Sequence, residues 1–135
     1  MDFTISPGME KTVEVTVTDD RLASALGSGM ARVFATPGMI ALMENAAMQA
    51  IHDALPEGFT SVGTRVEADH IAATPPGMRV RATARVTAVD GRKVEFEVEA
   101  FDEVEKIGHA AHTRFIVDAF RFENKAMQKA PKQSK

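Results

Sequence analysis

Cysteine is absent from the 135 residues, which excludes disulfides and thiolate metal sites. Tryptophan and tyrosine are absent too. No apolar run approaches the ~20 residues that a membrane-spanning helix needs. The opening stretch, MDFTISPGME, has no basic segment followed by an apolar one, so no secretory signal is expected and the chain reads as cytoplasmic. The length suits one domain with a single core. Residues 1–135 are therefore read as one unit with a basic, partly frayed tail from about 122.

Charge is unevenly spread. After Ala119 the basic residues are Arg121, Lys125, Lys129, Lys132 and Lys135, against one acid, Glu123, although the net charge of the whole chain is −3. The body is thus acidic, which with the lack of Tyr and Trp argues against nucleic-acid binding. A basic tail can still meet phosphates.

The segment KTVEVTVTDD alternates, Val13, Val15 and Val17 pointing one way, as a half-buried strand does. TPGMIALMENAAMQAIHDALPEG reads as the one long helix. Thr36 is expected to be its N-cap and Pro37 its first residue, with Pro56 and Gly58 ending it. In TSVGTRVEADH, alternation puts Val62, Val66, Ala68 and His70 on one face. The pair of strands around Asp90-Gly91 has apolar faces Val80, Ala82, Ala84, Val86 and Val94, Phe96, Val98, Ala100. A two-residue turn would mix these faces, so a three-residue loop, Val89-Asp90-Gly91, is expected, pairing Val86 with Val94. The last strand, IGHAAHTRFIVDAF, has two mixed faces. One long helix among antiparallel strands predicts an α+β fold with the helix packed on the sheet.

Within the helix, the clearly polar positions Asn45, Gln49, His52 and Asp53 fall inside about 100° of arc. Glu44 lies roughly 80° outside that sector. Its neighbours one turn away are Ile40, Ala41, Ala47 and Met48. A carboxylate there is partly buried, and burial penalises charge. It either pairs with a buried cation such as Arg114, reaches water at the helix edge, or does chemistry. His70 closes a strand on its apolar face, where a satisfied core histidine is the plainer reading. His109 and His112, three apart on a strand, point to opposite faces and make a poor metal pair, so no metal is expected.

Three stretches, VFATPGMIALMENA, VGTRVEADHIAATPPG and IGHAAHTRFIV followed by RFENKAMQK, resemble the fluoroacetyl-CoA thioesterase family of the hot-dog superfamily over most of residues 30–130. The resemblance implies a curled antiparallel sheet wrapped round a central helix, a homodimer with further pairing into a tetramer left open, and thioester hydrolysis. It maps the family's Thr–Glu–His set onto Thr36, Glu44 and His70, and supporting positions onto Gly63 and Arg114. Where the fluoroacetyl-specific enzyme has aromatic residues ahead of VFAT, this chain has LASALGSGMAR, so the acyl specificity is not carried over.

The expected activity is hydrolysis of a small or medium acyl-CoA thioester. Glu44 acts as base or nucleophile, Thr36 and His70 position and activate, and Gly63 and Arg114 support the thioester. CoA enters as part of the substrate and no other cofactor is expected. Lys125 and Lys129 are candidates for the CoA phosphates. The rival is a non-catalytic module that binds acyl-CoA in the same pocket. A hydratase acting on enoyl-CoA ranks last, because no Asp with a nearby His precedes the central helix.

Overall fold

In the computed structural model, which describes residues 3–131, five strands form one antiparallel sheet. They are β1 (Glu10–Thr16), β2 (Phe59–His70), β3 (Arg79–Asp90), β4 (Lys93–Phe101) and β5 (Lys106–Asp118), in the order β1-β3-β4-β5-β2. Between β1 and β2 come a 3-10 turn (Asp19–Arg21), a short helix α1 (Ala23–Leu26) and the long helix α2 (Thr36–His52); α3 (Ala119–Met127) follows β5. Both edges of the sheet, β1 and β2, are paired along one side alone among the described residues. Lys132 and Lys135 lie outside the described residues.

The apolar faces read from alternation are the inner face. Val80, Ala82, Ala84 and Val86 of β3, and Val94, Phe96, Val98 and Ala100 of β4, are buried under α2. From the helix, Met39, Met43 and Ile51 fill the same core, each such side chain contributing about 1.5–3 kcal/mol on burial. Asn45, Gln49, His52 and Asp53 face water as expected, and Glu44 is half-buried. At Gly108 a Cβ would stand 2.5 Å from the sulfur of Met39 and 2.8 Å from the carbonyl of Asp69. Only a glycine lets α2 lie this close to β5.

Two strand readings are corrected. The β3–β4 strands run to Asp90 and restart at Lys93, leaving a two-residue turn, Gly91-Arg92. Gly91 has φ +61°, suited to the first position of a tight hairpin turn. A bulge between Val86 and Ala88 restores the parity of the faces, so Val86 opposes Phe96 rather than Val94. Consequently Arg85 faces Glu97, paired at 2.8 Å, and the Arg81 guanidinium sits 4.9 Å over the Phe101 ring.

The second correction is in β2. Its ladder with β5 slips between Gly63 and Arg65, leaving Thr64 as the extra residue. Val66 therefore pairs with buried His112, whereas Val62 pairs with exposed Phe115. Val62 is on the outer face, and Gly63 takes its place inside, opposite Arg114.

The loop joining β4 to β5 is fixed by a buried carboxylate. Asp102 accepts bonds from the amides of Val104 and Glu105 and, at 2.9 Å, from the hydroxyl of Thr74. Burial alone would raise its carboxyl, but these bonds outweigh burial and hold it below the usual aspartate value.

Candidate active site

Thr36 is the first residue of α2, and the position before it belongs to Ala35, so Thr36 is not the N-cap. Its hydroxyl instead lies 2.7 Å from Nδ1 of His70. The local chain explains the meeting. The Phe34 amide donates to the Thr74 carbonyl at 2.8 Å, and the Ala35 amide to Arg21 at 3.0 Å. The first bond ties the start of α2 to the loop that leaves β2 and the second ties it to the 3-10 turn, while the Thr74 hydroxyl donates to Asp102. His70, the last residue of β2, is paired with Gly108, which has no side chain to crowd the ring.

Burial pushes the His70 imidazole below its usual pKa, opposed in part by a backbone contact at Ala72. Its Nε2 is buried and has no hydrogen-bond partner among the described residues. Beside the pair opens a depression of about 300 Å³ walled by Ala23, Ser28, Val33, Ile71, Ala72 and Ala73. No charged side chain lines it.

Glu44 belongs to a second cluster. A Cβ on Gly63 would stand 2.7 Å from Oε2 of Glu44, 3.1 Å from Cε1 of His112 and 3.4 Å from Nη1 of Arg114. Glycine at the bulge is what makes room for the carboxylate. Arg114 is buried and anchored: Nε donates to the Ser61 hydroxyl at 2.8 Å, Nη2 to the Ser61 carbonyl at 2.9 Å, and Nη1 to Nε2 of His112 at 3.2 Å. Among the described residues Glu44 joins no ion pair, but its charge reaches Arg114 and His112. Burial lowers the Arg114 pKa, which Glu44 opposes.

The structure thus brings Thr36 to His70, and Glu44 to Gly63 and Arg114. Within one chain the two groups stand apart along the helix, Thr36 and Glu44 being eight residues, or about 12 Å of rise, from each other. Lys125 borders a depression with Phe59, Arg92, Arg121 and Phe122 at the far end of β2 from His70. Lys129 follows α3, is exposed, and has no part in that depression. Ser61, His112, Arg92 and Arg121 were not singled out by sequence as site residues. For His112 a signal existed: it lies two residues from Arg114 on one strand, so both share a face.

The family model of fluoroacetyl-CoA-specific thioesterases matches residues 17–119. The fluoroacetyl-CoA thioesterase of Streptantibioticus cattleyicolor is 41% identical over 99 residues, 73% of this chain and 71% of that one. The solved fluoroacetyl-CoA thioesterase FlK superposes with a TM-score of 0.90 at 34% identity, covering 95% of this chain and 99% of FlK. A threonine-to-serine variant of FlK in complex with acetyl-CoA gives the same TM-score. A hot-dog-like protein from Thermanaerovibrio acidaminovorans shares the fold, with a TM-score of 0.83 at 22% identity over 94% of each chain.

Proposed function

Because the chain belongs to the fluoroacetyl-CoA-specific thioesterase family and is an acyl-CoA thioester hydrolase, we propose that it cleaves small or medium acyl-CoA esters with an uncharged acyl group, using Thr36, Glu44 and His70. The observation that carries this reading is the 2.7 Å contact of Thr36 with His70 beside a depression free of charged side chains. A carboxylated acyl group would find no cationic partner among the residues that line that depression.

Glu44 is the general base. It removes a proton from water as the water oxygen attacks the thioester carbonyl; the tetrahedral intermediate then expels CoA thiolate, which takes up the proton. Neutral His70 and the Thr36 hydroxyl share a hydrogen bond at Nδ1 that orients the hydroxyl. That hydroxyl, so oriented, fixes the acyl end of the thioester. The bare backbone at Gly63 and the cation of Arg114, both beside Glu44, are the groups that would stabilise negative charge on the carbonyl oxygen.

A homodimer completes the site. β2 is an unpaired edge twelve residues long, and such edges need covering. An antiparallel β2–β2 contact about a two-fold axis sets the His70 end of one strand against the Gly63 end of the other. Thr36 and His70 of one protomer then face Glu44 of its partner. Arg92, Arg121 and Lys125, which outnumber the one carboxylate beside them, Asp118, are the cations offered to the CoA phosphates.

The test is thiol release from a panel of acyl-CoA esters. Turnover of acetyl, butyryl and phenylacetyl esters with little on succinyl-CoA supports the reading. Preference for the carboxylated ester overturns it.

A further inference from the structure

Glu44 lies near a buried arginine yet is not paired with it, and something must keep the two apart. Only His112 and Ser61 hold the guanidinium among the described residues. Three of its five N–H bonds are used on them and none of the three on the carboxylate.

The tautomer of His112 follows from its partners. Nδ1 lies 2.8 Å from the carbonyl oxygen of Arg65, which can only accept, so Nδ1 carries the proton. Nε2 then has a free lone pair, and Arg114 Nη1 donates to it. The ring is 2% exposed and rests against Phe96 of β4 at a centroid distance of 6.0 Å, so it has little room to turn. Glu44 of α2 and Arg114 of β5 are the charged groups facing it; the strands on either side present the Arg65 carbonyl and the Phe96 ring.

We propose that His112 is a positioning residue for the Glu44 centre: as a neutral acceptor it holds Arg114 back from Glu44 and keeps the carboxylate free to act as base. This rests on the reading of Glu44 as the reacting carboxylate. A direct Arg114–Glu44 ion pair would strip Glu44 of its basicity. Loss of the acceptor frees the guanidinium to close on Glu44. So does protonation, because Nε2–H⁺ would then point at Arg114.

Burial holds the His112 pKa below its ordinary value; Arg114 lowers it further, while the Arg65 carbonyl and Glu44 oppose. The neutral, competent form therefore prevails at neutral pH and is lost as the solution becomes acid.

The experiment compares His112→Gln, whose side-chain oxygen can still accept from Arg114, with His112→Phe, which cannot. Both are assayed for kcat and KM, and their folding is checked by Tm. The Gln variant is expected to keep kcat within about threefold, and a folded Phe variant to lose about tenfold or more in kcat with KM little changed. A folded Phe variant with the kcat of the wild type overturns the proposal.

If His112→Phe does not fold, the Gln variant alone decides. Its acid limb of log kcat against pH should become shallower by one proton, since Gln cannot titrate; an unchanged slope overturns the proposal. Glu44→Gln separates the two readings. If it retains full activity, the reading of Glu44 fails. If it is inactive while the His112 variants behave as wild type, only the role of His112 fails.

Discussion

The Thr36 hydroxyl and His70 Nδ1, 34 residues apart in sequence, stand 2.7 Å from each other at the junction of α2 and β2. The bond joins the first residue of the helix to the last residue of an edge strand. Thr36→Val removes the hydroxyl but keeps the branched shape. It should lower kcat roughly a hundredfold or more while Tm changes little, because an exposed hydroxyl contributes at most about 1 kcal/mol to stability. Steady-state kinetics with a thermal melt checks both parts.

Acid should affect activity and stability together. Burial lowers the pKa of both His70 and His112 in the folded chain. An unfolded chain binds those protons near pH 6.5, so it holds more protons than the folded one just below that value. Stability is then complete above about pH 6.5 and falls as pH drops from there towards the folded-state values. A Tm series across this range should decline, and His112→Gln should flatten the decline.

Gly63→Ala would place a methyl 2.7 Å from Glu44 Oε2. The carboxylate must move. The expected outcome is a folded protein with kcat reduced at least about tenfold, measured against a wild-type control of equal Tm.

Asp102 stabilises two loops from a buried position. Asp102→Asn keeps the size but removes the charge-assisted bonds and turns one acceptor into a donor. It should cost about 2 kcal/mol in urea unfolding. It should also slow turnover, because Thr74 fixes the approach to Thr36 through Phe34.

Replacing Arg92, Arg121 and Lys125 by Ser should raise KM for acyl-CoA and leave KM for the matching acyl-pantetheine unchanged. Added salt should mimic the effect on wild type, since exposed charges are screened.

Much of this was legible in the sequence, for physical reasons. The misfit of Glu44 follows from the helical period alone, because the four polar residues define the wet face. The inner faces of β3 and β4 follow from the period of two. The bulges could not be read. A three-residue loop and a two-residue turn with a bulge restore the same parity, and alternation does not distinguish them. At Thr64 the missed bulge moved Val62 to the wrong face and hid that Gly63 faces Glu44. Thr36 read as a helix cap because residue type and position suit a cap; its actual partner comes from a strand that only the fold brings near. His112 was obscured because both faces of β5 are mixed.

The most direct measurement is single-turnover hydrolysis of an acyl-CoA ester by Glu44→Gln beside the wild type, at enzyme concentrations that saturate the ester. The variant is expected to bind the ester but to release thiol at least about a thousandfold more slowly. Thiol release at the wild-type rate would show that this half-buried carboxylate is not the base, and would contradict the mechanism at its centre.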